Sequence, residues 1–113
     1  MKLTQKLDNE MQKFKKTYET MTPTQVYNDW YMICFYESYY EMLTYISDDK
    51  DVYRGCEDIL DWLNTYENPL GFLYGEWLSC DGAFCCLWDD MIAWLMDLKC
   101  DVEENSYENE EEN

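Results

Sequence analysis

Residues 22–47 read TPTQVYNDWYMICFYESYYEMLTYIS, and how this stretch folds decides the architecture. Thr22 suits a helix N-cap, and Pro23 suits the first helical position, where its missing N–H leaves nothing unpaired. Thr22 and Gln25 have the spacing of a capping box, with Met21 and Val26 at the two positions of a hydrophobic staple. Inside the stretch, Met32, Phe35, Tyr39, Met42 and Ile46 repeat every three or four residues. Val26, Trp30 and Ile33 start a second apolar stripe on another side, and Glu37, Glu41 and Thr44 leave only a narrow polar seam. A helix apolar on two sides must be covered on two sides, so the stretch is expected to form a central helix over 23–46 with the rest of the chain packed around it. Its aromatic side chains are expected chiefly in the core, rather than in a cofactor box or a base-stacking platform. The chain has eleven tyrosines, more than a core of this size hides, so some should reach the surface, where Tyr favours recognition.

Working outward, Leu3, Leu7, Met11, Phe14, Tyr18 and Met21 predict an amphipathic first helix. Beyond the centre, Ser47-Asp48-Asp49-Lys50-Asp51 is a turn with capping residues. Its likeness to a calcium loop fails: counting from Asp49, Arg54 stands where glycine is required and Leu60 where a carboxylate is required. Val52, Cys56, Ile59, Leu63 and Tyr66 mark a third helix whose outer side carries Glu57, Asp58 and Asp61. Asn68-Pro69 ends it and opens a short fourth helix through Leu70, Leu73, Tyr74, Trp77 and Leu78, weakened by Gly71 and Gly75. Around 77–87 two readings stand. Asp81-Gly82 between apolar runs is a hairpin signal, whereas Phe84, Trp88, Met91, Leu95 and Leu98 continue at helical spacing and favour a fifth helix from about 82 to 100. The expected fold is therefore all-α, a single small bundle of about five helices over residues 1–100, followed by a frayed acidic tail over 101–113.

Composition narrows the class. The chain of 113 residues suits one domain. No apolar run approaches the ~20 residues of a membrane span, and no apolar leader opens the sequence, so a cytoplasmic setting is expected. The six cysteines are then expected to be reduced and mostly buried. With no histidine in the chain and no CxxC pair, neither a metal nor any other cofactor is expected. The net charge is -17, unevenly spread. Lys2, Lys6, Lys13, Lys15 and Lys16 outnumber Asp8 and Glu10 in the first segment, whereas Lys50, Arg54 and Lys99 are the only cations after it. Such a body repels nucleic acid and anionic membrane and attracts basic surfaces.

The segments LTQKLDNEMQKF, TPTQVYNDWYMICFYESYYEML and NPLGFLYGEWL, between residues 3 and 78, resemble a small helical domain of unknown function found on bacterial mobile elements and in gut phage genomes. The resemblance implies a helical fold and a mobile-element setting, and no activity. The aromatic and cysteine content, and the run after Cys80, depart from that pattern. In size, acidity and acidic C-terminus the chain is also similar in kind to phage antirestriction proteins that mimic DNA.

Two function classes follow. Acid–base catalysis near neutral pH is usually supplied by histidine, which is absent, and no P-loop, GxSxG or Cys-His arrangement appears, so the chain is not expected to be an enzyme. The first class is an anti-defence inhibitor whose acidic surface takes the place of nucleic acid on a basic host protein, a restriction or CRISPR effector in the bacterial cytoplasm. B-DNA presents a charge every ~1.7 Å of axis. On the last helix Asp90, Asp97, Asp101 and Glu104 step by rises of about 10, 6 and 4.5 Å. Asp89, Glu103, Glu57, Asp58 and Asp61 extend that patch. The second class is a helical adaptor or dimerisation module binding through exposed tyrosines and apolar surface, and the sequence leaves open whether the chain forms a homodimer.

Overall fold

The computed structural model describes residues 2–48, 56–80 and 87–112, the side chains of 105–112 excepted. Among the described residues six helices form: α1 (Leu3–Glu19), α2 (Pro23–Asn28), α3 (Trp30–Asp48), α4 (Glu57–Leu63), α5 (Pro69–Ser79) and α6 (Trp88–Glu112). No strand occurs among the described residues, so the fold is the expected all-α globule. Helix α3 packs on α1, α5 and α2, while α4 lies against α6 and α1.

The start of the central stretch forms as its residues require. Thr22 Oγ1 accepts from Gln25 N at 3.3 Å, and Gln25 Oε1 accepts from Thr22 N at 2.8 Å. The single helix expected over 23–46 is instead two helices, broken at Asp29, whose φ of -101° and ψ of 18° leave the helical region. Asn28 and Asp29 are weak interior helix formers because their side chains compete for backbone groups. The ladder nonetheless continues on either side, with Asp29 N donating to Gln25 O and Ile33 N to Asp29 O. Phe35, Tyr39, Met42 and Ile46 are buried as the first stripe predicted. The second stripe holds only in part, because Ile33 is buried while Trp30 is exposed.

Phe35 is the meeting point of three helices. It is fully buried, stacks on Tyr39 at 4.3 Å, and meets Tyr74 and Trp77 of α5 at 5.4 and 5.6 Å and Trp94 of α6 at 6.4 Å. On the other side of α3, Tyr36 stacks on Phe14 of α1 at 4.2 Å. Stacked and edge-to-face ring pairs add about 0.5–1.5 kcal/mol each beyond their area burial, so this aromatic crowd is core, as its helical spacing implied.

Helix α1 does more than cover α3. Its buried stripe of Leu3, Leu7, Met11 and Phe14 also contains Glu10, only 8% exposed. The Glu10 carboxylate accepts from Leu70 N at 2.8 Å and from Gly71 N at 2.7 Å. Those are orphan donors of the first turn of α5, which its own N-cap residue, Asn68, leaves unpaired. One turn earlier on α1, Lys6 Nζ donates to Asn64 O and to Tyr66 O at 3.2 Å, the carbonyls just past the end of α4. Two side chains four residues apart on α1 thus tie down both halves of the α4–α5 corner. The glycine at 71 has a specific reason: a Cβ there would lie 3.2 Å from Glu10 Oε2 and 3.3 Å from the Tyr36 hydroxyl.

Helix α4 is shorter than the expected third helix, and Val52 lies outside the described residues, as does Arg54 with most of the calcium-loop-like segment. Cys56, Ile59, Leu60 and Leu63 are buried as expected. The hairpin alternative near 77–87 does not form, since Trp77, Leu78 and Ser79 belong to α5 and Trp88 opens α6, with 81–86 outside the described residues. The helical period running from Leu70 through Leu73 to Trp77 makes α5 of the segment that would have supplied the first strand. Helix α6 begins at Trp88, later than 82, and its backbone stays helical to Glu112 instead of ending near residue 100. Glutamate is a good helix former, which suits this extension better than the fraying read from charge alone.

Candidate functional site

All nine carboxylates of the expected acidic patch, Glu57, Asp58, Asp61, Asp89, Asp90, Asp97, Asp101, Glu103 and Glu104, are exposed. They stand on two helices that touch, α4 and α6. Helix α6 buries Met91, Ile92, Leu95 and Leu98, which fixes the direction of its outer side. At roughly 100° per residue, Asp90, Asp97, Asp101 and Glu104 fall within about 60° of one another, away from Met91, Ile92 and Leu95. Asp89 lies on one flank of this stripe, and Glu103 lies further round on the same side, about 100° from Glu104.

Among the described residues, Lys99 is a cation set beside these carboxylates, on the side of α6 near Asp58. Lys99 Nζ is 2.6 Å from Glu103 Oε1. The hydrogen bond to Glu103 holds the Lys99 ammonium above its usual range, and the charges of Glu103 and Asp58 add to the effect. Lys99 therefore offsets part of the charge of Glu103 and Asp58. The i, i+4 spacing of Lys99 and Glu103 was the available sequence signal for the first contact. The second depends on the docking of α4 onto α6.

Two further features lie away from this patch. The first is an aromatic surface at the α2–α3 junction, where Tyr27, Trp30 and Tyr31 are 81%, 56% and 65% exposed. The Tyr31 ring lies 6.5 Å from Trp77 of α5, and Leu78 beside Trp77 is also exposed. The expectation that some tyrosines reach the surface is met here and at Tyr45. The second feature is a cleft of about 450 Å³ between α1, α3 and the start of α6, lined by Met11, Lys15, Glu37, Tyr40, Glu41, Thr44, Tyr45, Asp48 and Trp88. The polar seam of the central stretch forms one side of it.

The cysteines differ from expectation. Cys56 is buried and its thiol pKa is pushed up by that burial and by Glu57. Cys34 is half-buried, but Cys80 and Cys100 are exposed, and Cys85 and Cys86 lie outside the described residues. Cys80 caps the end of α5, and Cys100 sits on the solvent side of α6, two residues from the buried Leu98. Among the described residues no helix is long and apolar enough to cross a membrane. Comparison with family models, with curated proteins and with solved structures gave no match.

Proposed function

We propose that this protein is a non-catalytic inhibitor whose acidic face occupies the nucleic-acid-binding surface of a basic partner. In this reading it serves a phage or mobile element in the bacterial cytoplasm, and the partner is a defence nuclease of the restriction or CRISPR type. The observation that carries the reading is the stripe of exposed carboxylates on α6, Asp90, Asp97, Asp101 and Glu104, on a helix long enough to hold them in fixed register. Lys and Arg side chains placed to grip phosphates meet carboxylates at comparable intervals. The association is driven by charge and weakens steeply with salt.

The test is inhibition of DNA cleavage by purified restriction and CRISPR nucleases, titrated at low and high salt. A susceptible nuclease is expected to be inhibited in competition with its DNA or guide RNA. Asp90→Lys combined with Asp97→Lys is expected to abolish the effect. Full inhibition by the double variant refutes the reading.

A second reading is favoured by the Tyr27, Trp30 and Tyr31 surface: an adaptor that binds a protein partner through aromatic contacts. Its affinity would vary little with salt and fall when Tyr27 and Tyr31 are replaced by alanine, while the α6 variants leave it intact.

A further inference from the structure

We infer that the cleft between α1, α3 and the start of α6 is a receptor for a guanidinium group, the side chain of an arginine presented by a basic protein. This rests on the reading that the partner is basic, and it names a second point of attachment separate from the α6 stripe.

The cleft combines two kinds of recognition chemistry. Tyr40, Tyr45 and Trp88 supply rings, and the Tyr45 and Trp88 rings lie 5.2 Å apart, inclined at 53°. That inclination leaves them as two angled walls instead of a closed stack. The Tyr40 hydroxyl donates to Asp8 Oδ1 at 2.5 Å, which holds its ring in place. Glu37, Glu41 and Asp48 stand around these rings at helical spacing on α3, and among the described lining residues the one cation is Lys15. Glu37 accepts from the Tyr18 hydroxyl at 3.3 Å. Glu41 and Asp48 are both exposed and accept no hydrogen bond from another described side chain.

A cation is the complement of this lining, and its chemistry selects among cations. Aromatic faces attract positive charge, Trp most strongly. Guanidinium is planar, weakly hydrated and able to stack on a ring while donating two parallel bonds to a carboxylate. A lysine ammonium is compact and strongly hydrated, and gives up more water for the same contacts. The volume, about 450 Å³, is in the range of side-chain and small-ligand sites.

The experiment measures binding of fluorescently labelled oligoarginine and oligolysine peptides of equal length to the full chain by anisotropy. The arginine peptide is expected to bind about twofold to fivefold tighter, the size of a cation–π contact at an accessible site. Tyr45→Ala and Glu41→Gln, both at exposed positions, are expected to remove that preference. Lys15→Ala is expected to tighten arginine binding, a gain that misfolding would not produce. Asp90→Asn with Asp97→Asn is expected to weaken both peptides equally and keep the preference. Equal binding of the two peptides overturns the inference. So does a preference that survives Tyr45→Ala and Glu41→Gln. In either case the α6 stripe still stands or falls by the nuclease assay.

Discussion

Replacing Glu10 by alanine removes a carboxylate that caps α5 from another helix, and the cost can be worked from its contacts. Two N–H donors, of Leu70 and Gly71, lose acceptors at 2.8 and 2.7 Å. Leaving a buried donor unpaired costs about 1–3 kcal/mol. The gain to be set against this is that the carboxylate no longer has to be desolvated. That desolvation is the largest influence on Glu10, raising its pKa above the ordinary carboxylate range despite the two backbone bonds, which lower it. A net loss of about 2–4 kcal/mol is expected, a large part of the ~5–15 kcal/mol that holds a domain of this size together. Because the folded pKa is raised, the folded state binds the proton more tightly than the unfolded one. The stability linked to Glu10 is then full below the unfolded pKa and declines as pH rises through the folded value. Urea denaturation of wild type and Glu10→Ala should therefore show a larger difference at acid pH than at pH 7. Gly71→Ala supplies the control. In the wild type its Cβ meets Glu10 Oε2 and the Tyr36 hydroxyl, whereas without Glu10 one of those contacts is gone and the helix-propensity gain of about 0.5–1 kcal/mol is freer to appear. The two substitutions should couple by about 1 kcal/mol. A cost below about 0.5 kcal/mol for Glu10→Ala, or strict additivity with Gly71→Ala, would refute the capping account, whereas a cost that grows towards pH 7 would show the two backbone bonds outweighing desolvation.

The remaining predictions concern the aromatic core and the acidic face. Phe35→Ala should cost about 3–5 kcal/mol by chemical denaturation, since the ring is fully buried among Tyr39, Tyr74, Trp77 and Trp94; retention of wild-type stability would show that the three helices do not meet there. Lys99→Gln should leave the denaturation midpoint essentially unchanged, because its ion pair is exposed. The same change should strengthen inhibition of a susceptible nuclease, most of all at low salt, by freeing the charge of Glu103 and Asp58.

Much of the fold was legible because it is written locally. The Thr22–Gln25 box, the α1 stripe and the Pro69 start depend on residues within one or two turns, and each forms as read. The break at Asp29 was harder, since weak helix formers are often carried through by tertiary packing. Against the hairpin reading near 77–87, the helical spacing on either side of Asp81-Gly82 was the better guide, with α5 and α6 forming where it runs. Of the candidate site, the exposure of the nine acids was legible from their placement opposite apolar stripes. The partial neutralisation by Lys99 was not, because Asp58 reaches it only through the packing of α4 on α6. The cleft was equally hidden, since Met11, Tyr40 and Trp88 converge from three helices. Glu10 looked like one more surface acid in a chain rich in them, and only the docking of α5 reveals it as an acceptor.

The ties from Lys6 and Glu10 to the α4–α5 corner also order events in time. They span 58 to 61 residues of sequence, and α1 leaves the ribosome first. Helix α3 follows and can cover part of the α1 stripe, but the Glu10 carboxylate must wait, still hydrated, until the corner has been synthesised. Contacts of such separation close late and slow folding. The vulnerable interval for this chain is therefore its own synthesis, while the apolar faces of α1 and α3 await α5.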